Sequence, residues 1–133
     1  MTKRLGPLKV NFAILCDDIR RETNNKYSLM GVLQGDVLIA SFPSQIGLAI
    51  FSEMEGPAGR YQMELRLSGP GKQSAILDSL IDHQSDGLIA LATPRIDLLA
   101  DKPGRFRVDV RIDGGKWVNL ISKKFLLNDP PTS

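Results

Sequence analysis

The stretch Arg105-Phe106-Arg107-Val108-Asp109-Val110-Arg111-Ile112-Asp113 alternates polar and apolar residues without exception. Asp101-Lys102-Pro103-Gly104 leads into it, and Asp113-Gly114-Gly115 closes it. A period of two bounded by turn residues predicts a β-strand, with Phe106, Val108, Val110 and Ile112 on one face and the charged side chains in water on the other. Arg60-Tyr61-Gln62-Met63-Glu64-Leu65-Arg66-Leu67 repeats the pattern. Together the two segments predict antiparallel sheet with one dry and one wet side.

The flanking segments extend the same reading. Leu8 to Cys16 places Leu8, Val10, Phe12, Ile14 and Cys16 on one face. Tyr27 to Leu33 resumes an apolar pattern after the polar run from Asp17 to Lys26. Asn24-Asn25 tolerates left-handed backbone, so these runs are expected to pair as a hairpin with Asp17 to Lys26 as its charged loop. Gly31 marks a bulge or a close backbone approach. Val37 to Ala40 ends at Phe42-Pro43-Ser44, because proline supplies no ladder donor. Ile46 to Phe51, Leu88 to Ala92, Ile96 to Leu99 and Trp117 to Leu127 add further strands. Ser74 to Asp82 fits either a helical stripe or a strand, and its setting among short strands favours strand.

Eight to ten short strands separated by turn signals every ~8–12 residues predict an all-β protein. The expected architecture is a two-layer antiparallel β-sandwich, immunoglobulin-like in general outline, with a small β-barrel as the alternative. Residues 1–133 are expected to form one domain, with 128–133 (Asn128-Asp129-Pro130-Pro131-Thr132-Ser133) a disordered tail. Several strands, Ile46 to Phe51 among them, are apolar on both parities. A sandwich dries only one face of each sheet. The second apolar face therefore calls for cover by a helix, a long loop or another copy of the chain, and a homo-oligomer is expected.

Seventeen basic and fifteen acidic residues give a formal charge of +2, too small and too dispersed to imply a nucleic-acid partner. Cys16 is the only cysteine and His83 the only histidine. An intrachain disulfide and the Cys-rich zinc sites are thereby excluded, and a reducing, cytoplasmic setting is expected. The first residues do not read as a signal peptide, and no window approaches the ~20 apolar residues of a membrane helix.

Few residue groupings carry chemistry. Asp17, Asp18 and Glu22 offer oxygens for a hard cation, but Arg20, Arg21 and Lys26 neutralise them and the calcium-loop spacing is missing. No metal or other cofactor is expected. Cys16 and His83 are the only pair that could form a thiol nucleophile and its base. Cys16 shares its strand face with apolar neighbours, which favours an inert buried thiol. Asp78, Asp82, Asp86 and the earlier acids could offer a carboxylate pair for acid–base work, though nothing in their spacing forces two of them together. Gly69-Pro70-Gly71-Lys72 lacks the spacing of a phosphate loop and reads as a turn. The wet faces carrying Arg60, Arg66, Arg105, Arg107 and Arg111 offer no aromatic side chains for base stacking, and Trp117 is expected in the core or at an edge.

The block Phe12-Ala13-Ile14-Leu15-Cys16-Asp17-Asp18-Ile19-Arg20-Arg21-Glu22, with Lys26-Tyr27-Ser28-Leu29-Met30-Gly31-Val32, resembles a family of small uncharacterised bacterial proteins. Pro103-Gly104-Arg105-Phe106 and Asp113-Gly114 are similar to that family's C-terminal hairpin. Where the family has glycine before the lysine of the first hairpin, this chain has Asn25. The resemblance implies a single β-sandwich and transfers no activity and no catalytic residue.

The expected function is accordingly a non-catalytic protein-binding or assembly module. The alternatives are a small enzyme using Cys16 and His83 or a carboxylate pair, and a structural subunit of a phage or secretion apparatus. The candidate binding residues are Asp17, Asp18, Arg20, Arg21, Glu22 and Lys26, because loops on rigid scaffolds often carry recognition.

Overall fold

The computed structural model describes residues 3–71 and 74–128. Every element in it is a strand: β1 (Lys3–Leu5), β2 (Leu8–Arg21), β3 (Tyr27–Val32), β4 (Val37–Ile39), β5 (Ser44–Gly56), β6 (Gly59–Ser68), β7 (Ser74–His83), β8 (Gly87–Ala92), β9 (Ile96–Ala100), β10 (Gly104–Ile112) and β11 (Val118–Leu127). The segment that fitted both helix and strand is therefore strand. Expected disorder in 129–133 lies outside the described residues. Asn128 is described, and its backbone N–H donates to Ile39 O at 2.8 Å.

The strands form two sheets packed face to face, as expected for a sandwich. One runs β1-β2-β5-β8, with β3 on β2 and β9 on β5; the other runs β4-β11-β10-β6-β7. All pairs are antiparallel except β4 with β11, which runs parallel from Val37↔Phe125 to Leu127↔Ile39. The alternating segments are β6 and β10, hydrogen-bonded neighbours at the centre of the five-stranded sheet. Their apolar parity fills the interior: Phe106, Val108 and Val110 have essentially no exposed surface. Phe106 stacks on Phe125 with ring centroids 5.0 Å apart. Leu15, Leu48 and Ile50 of the opposite sheet close over this cluster, and a second cluster joins Leu8, Val10 and Met54 to Tyr61, Met63 and Val110.

One expectation for β2 is corrected. Its ladder against β5 shifts register between Val10 and Phe12. The extra residue, Asn11, forms a bulge whose side-chain amide donates to Glu53 Oε2 at 2.9 Å. Because side chains alternate, one inserted residue reverses every later side chain. Leu8 and Val10 face the core, then Ala13 and Leu15 do; Phe12, Ile14 and Cys16 pass to the outer face beside Glu53, Phe51 and Ala49.

Two further details follow from backbone chemistry. Pro94 interrupts the edge running from β8 to β9, but Thr93 spans the gap. Its hydroxyl accepts the Ile50 N–H at 2.9 Å and its own N–H donates to Ile50 O at 3.0 Å. The hairpin tips behave as read: Asn24 and Asn25 take φ of 62° and 58°, and Asp113 and Gly114 take 51° and 70°.

Burial separates the two faces energetically. Phe106→Ala should lower the unfolding free energy by about 3–5 kcal/mol through lost contacts and the cavity left behind. Ile76→Ala, on the wet face of β7, should change it by no more than about 0.5 kcal/mol. Urea titration of both variants checks this, and equal losses would mean the faces are misassigned.

Candidate functional site

The six charged residues expected in the first loop are mostly not in a loop. Asp17, Asp18, Arg20 and Arg21 lie within β2, and only Glu22 and Lys26 belong to the turn. The ladder Asp18↔Met30, Arg20↔Ser28 and Arg21↔Tyr27 sends Asp18 and Arg20 to one face of the ribbon and Arg21 to the other. The expected neutralisation by ion pairing also differs: among the described residues no ion pair joins any of the six. Asp18 Oδ1 instead accepts the Ile19 N–H at 2.9 Å, and Glu22 Oε1 accepts the Ser28 hydroxyl at 3.2 Å. Gly31 is the close approach its glycine suggested. It sits at φ 66°, and a Cβ there would collide with the Asp17 carboxylate. The six residues decorate a ribbon and do not converge on one point.

That ribbon also bends. Tyr27 pairs with Arg21, seven residues along β2 from Ile14, which pairs with Phe51. A straight strand would separate those positions by ~23 Å. The Tyr27 and Phe51 rings nevertheless lie 5.3 Å apart, and Phe12 lies 6.0 Å from Phe51. The hairpin thus curls back over its own sheet, so part of the second apolar face is covered by the chain itself. Cys16 and Ala49 have no exposed surface, whereas Phe12 keeps 40% and Val32 48% of theirs.

Cys16 and His83 stay apart. Cys16 pairs with Ala49 on β5, while His83 Nε2 lies 3.2 Å from the carbonyls of Gly56 and Gly87. Ala49 and Gly56 are seven residues apart on one strand, ~23 Å. Two carbonyls can only accept, so Nε2 carries the hydrogen and His83 ties β7, β5 and β8 together. Burial pushes the Cys16 thiol above its ordinary pKa; a hydrogen bond to Asp18 O pulls the other way, and the nearby Asp17 and Asp18 carboxylates add to the rise. Asp78 and Asp82 are four residues apart on one strand face, ~13 Å, too far to share a proton or flank one bond. Asp86 Oδ1 accepts the Ala58 N–H at 2.8 Å. Among the described residues no group of three or more His, Cys, Asp or Glu side chains could hold a metal ion.

The wet face of the five-stranded sheet holds a feature the sequence reading missed. Trp117 precedes β11 and folds onto that face, with the guanidinium carbons of Arg66 and Arg111 at 4.3 and 4.5 Å from its ring centroid. The face therefore does carry an aromatic side chain, and Trp117 is neither core nor edge. Its arginines are already paired. Arg111 grips Glu64 with two hydrogen bonds of 2.9 and 3.0 Å. Buried Asp109 accepts from Arg66, Arg107 and Asn119 at 3.2, 3.4 and 3.1 Å. The Arg111 guanidinium holds the Glu64 carboxyl below the usual carboxylate range.

On one side of the sandwich the two layers part. A cleft of about 270 Å³ opens between β7 and β8, lined by Met63, Leu65, Leu77, Ile81 and Leu91 with Ser52 and Thr93 among them. A second cleft of about 210 Å³ continues it between the start of β7 and β9, over Leu67, Leu98 and Phe106.

No helix among the described residues is long and apolar enough to cross a membrane. Comparison with protein-family models finds no match, and comparison with curated proteins finds none.

Two measurements bear on these groups. Native Cys16 should react with a thiol reagent roughly 100-fold more slowly than the unfolded chain, since access needs local opening. Its rate should still be rising at pH values where a free thiol has levelled off, because the raised pKa leaves less thiolate. Rapid native labelling would contradict the burial. Glu64 has a depressed pKa, so its ion pair stabilises the fold above the unfolded value of ~4.3 and is lost as pH falls through the folded value. Glu64→Gln should destabilise the protein at neutral pH, and the difference from wild type in urea titrations should vanish in strong acid. A difference independent of pH would assign the loss to packing.

Proposed function

We propose that this protein is a non-catalytic assembly module that associates with a second copy of itself through the outer face of its six-stranded sheet. The observation that carries the reading is a row of apolar side chains on that face, of which Phe12 and Ile14 are turned outward by the Asn11 bulge. Phe12, Ile14, Phe51, Ala90, Ala92 and Val32 occupy outward positions on adjacent strands, with Glu53 between Phe12 and Ala90 on the same face, its carboxylate held by the Asn11 amide. The β2–β3 hairpin covers only part of them. A contiguous apolar patch rimmed by polar groups is characteristic of an association surface. Here the rim has both signs at both ends, with Asp18 and Arg20 at one and the Lys9–Glu55 pair (3.3 Å) at the other. A two-fold pairing brings the same patch against itself, and a rim of mixed sign suits that geometry.

The separation of Cys16 from His83, and of Asp78 from Asp82, favours association over catalysis. The likeness of the first hairpin to a family of small bacterial β-sandwich proteins belongs to this reading and adds no reaction.

Sedimentation equilibrium across a wide concentration range tests it. Wild type is expected to populate a dimer, and the double variant Phe12→Lys/Ala90→Lys to remain monomeric with an unchanged far-ultraviolet spectrum. Both positions are exposed, so folding should survive. A wild-type protein that stays monomeric at the highest concentrations overturns the proposal.

A further inference from the structure

Among the described residues, strands β7 and β8 are the outermost members of their sheets, each hydrogen-bonded on one side only. The three-residue link Gln84 to Asp86 joins them, so both edges run along the same side of the sandwich, diverging from the point pinned by His83. The apolar clefts lie between them. Natural sheet edges are blunted by lysine, proline, bulges or extreme shortness. Along β7 there is neither lysine nor proline nor a bulge, and the charges on the strand are the acids Asp78 and Asp82. The ten residues of β7 pair with β6 in unbroken register, from Gly59↔His83 to Ser68↔Ser74. From Ser74 to Ala92 there is no lysine, arginine or proline. Its acidic side chains there are Asp78, Asp82 and Asp86.

The side chains of β7 divide cleanly. Leu77, Ser79 and Ile81 face the cleft; Asp78, Leu80 and Asp82 face outward, where Leu80 is 59% exposed. On the neighbouring strand Arg60 stands opposite Asp82 and Gln62 hydrogen-bonds Asp78, but among the described residues neither acid has an ion pair. The main cleft is smaller than the ~300 Å³ at which small-molecule pockets begin. It suits side chains delivered by an extended backbone better than a free ligand.

We propose that the free edge of β7 accepts an extended segment of a partner polypeptide in which basic and apolar residues alternate. The backbone of that segment extends the five-stranded sheet by one strand. Its apolar side chains enter the cleft over Leu77, Ile81 and Leu91. Its lysines or arginines, on the other parity, meet Asp78 and Asp82, so two of them stand four residues apart. Strand addition supplies affinity through main-chain hydrogen bonds, and the acids supply selectivity. A second copy is disfavoured as the occupant, because two β7 edges would bring acids of one sign together, and like charges side by side destabilise a strand pair.

The surface is separate from the outer face proposed above, though the inference rests on the same view of the chain as a binding module. The probe is a labelled octapeptide alternating lysine with valine, titrated into the full chain at low salt and followed by fluorescence anisotropy. A glutamate–valine octapeptide is the control. Saturable binding of the lysine peptide is expected, with the control weaker by about tenfold or more. The double variant Asp78→Lys/Asp82→Lys should reverse that preference. Hydrogen exchange of the wild type should slow within 74–83 when the lysine peptide is added, a readout that stands even if the variant misfolds. Absence of saturable binding, protection located outside 74–83, or equal affinity for both peptides overturns the proposal. Protection of 74–83 that grows with protein concentration alone also overturns it, since a second copy then fills the edge. Phe12→Lys/Ala90→Lys should bind the peptide as wild type does, so failure of either proposal is visible without the other.

Discussion

Between Val10 and Phe12 the ladder of the longest strand takes in one extra residue, and much of the molecule depends on the side to which that insertion turns its neighbours. With Leu8 and Val10 inward before the bulge and Ala13 and Leu15 inward after it, a single strand serves both apolar clusters of the core. The cost is that Phe12 and Ile14 are turned away from the interior. They meet Phe51 on the outer face, and Tyr27 reaches them only because the β2–β3 ribbon curls. Core filling at one end of β2 and the apolar exterior at the other are thus consequences of one backbone irregularity.

The two outer surfaces of the sandwich handle charge in opposite ways. On the five-stranded sheet the central arginines are each held by a carboxylate or stacked on Trp117, and Asp109 is buried beneath them with three donors. Such a fully paired network orders side chains and offers little unspent charge to a ligand. At the β7 margin Asp78 and Asp82 form no ion pair among the described residues, though Arg60 stands opposite Asp82 and Gln62 hydrogen-bonds Asp78, and the backbone beside them is unpaired on one side. Recognition is better served by groups left wanting than by groups already satisfied, and that contrast separates decoration from a binding edge.

The all-β architecture was legible wherever one side of a strand is dry and the other wet. β10 and β6 announce themselves because they sit at the centre of a sheet with a solvated face, so alternation is physically enforced. The Asn24-Asn25 and Asp113-Gly114 turns were legible for a similar reason, since few residues tolerate that backbone. The Asn11 bulge was not, because Leu8 to Cys16 alternates well in both registers and only the partner strand selects one. Asp17 to Arg21 read as loop because both sides of an outlying two-stranded ribbon touch water, which removes the period-two signal. β1 is three residues long and the parallel seat of β4 on β11 is set by distant partners, so neither leaves a local trace. Of the candidate site, the acidic residues of β7 were visible as residues. Their position along an open margin was not, because edge or centre is a property of strand order.

The parallel pairing of Val37 with Phe125 has a bearing on how the molecule comes to be made. β4 leaves the ribosome early, yet its only ladder partner is the last strand of the eleven. Closing so long a loop is entropically unfavourable until other contacts have shortened it. The first sheet, whose strands all fall within the first hundred residues, is free to assemble during synthesis. The second must await β11, and until then Phe106 lacks the ring it stacks against. Until β11 pairs, part of the inner face of the first sheet lacks its cover, and exposed apolar surface of that kind is what makes unfinished folds prone to aggregate.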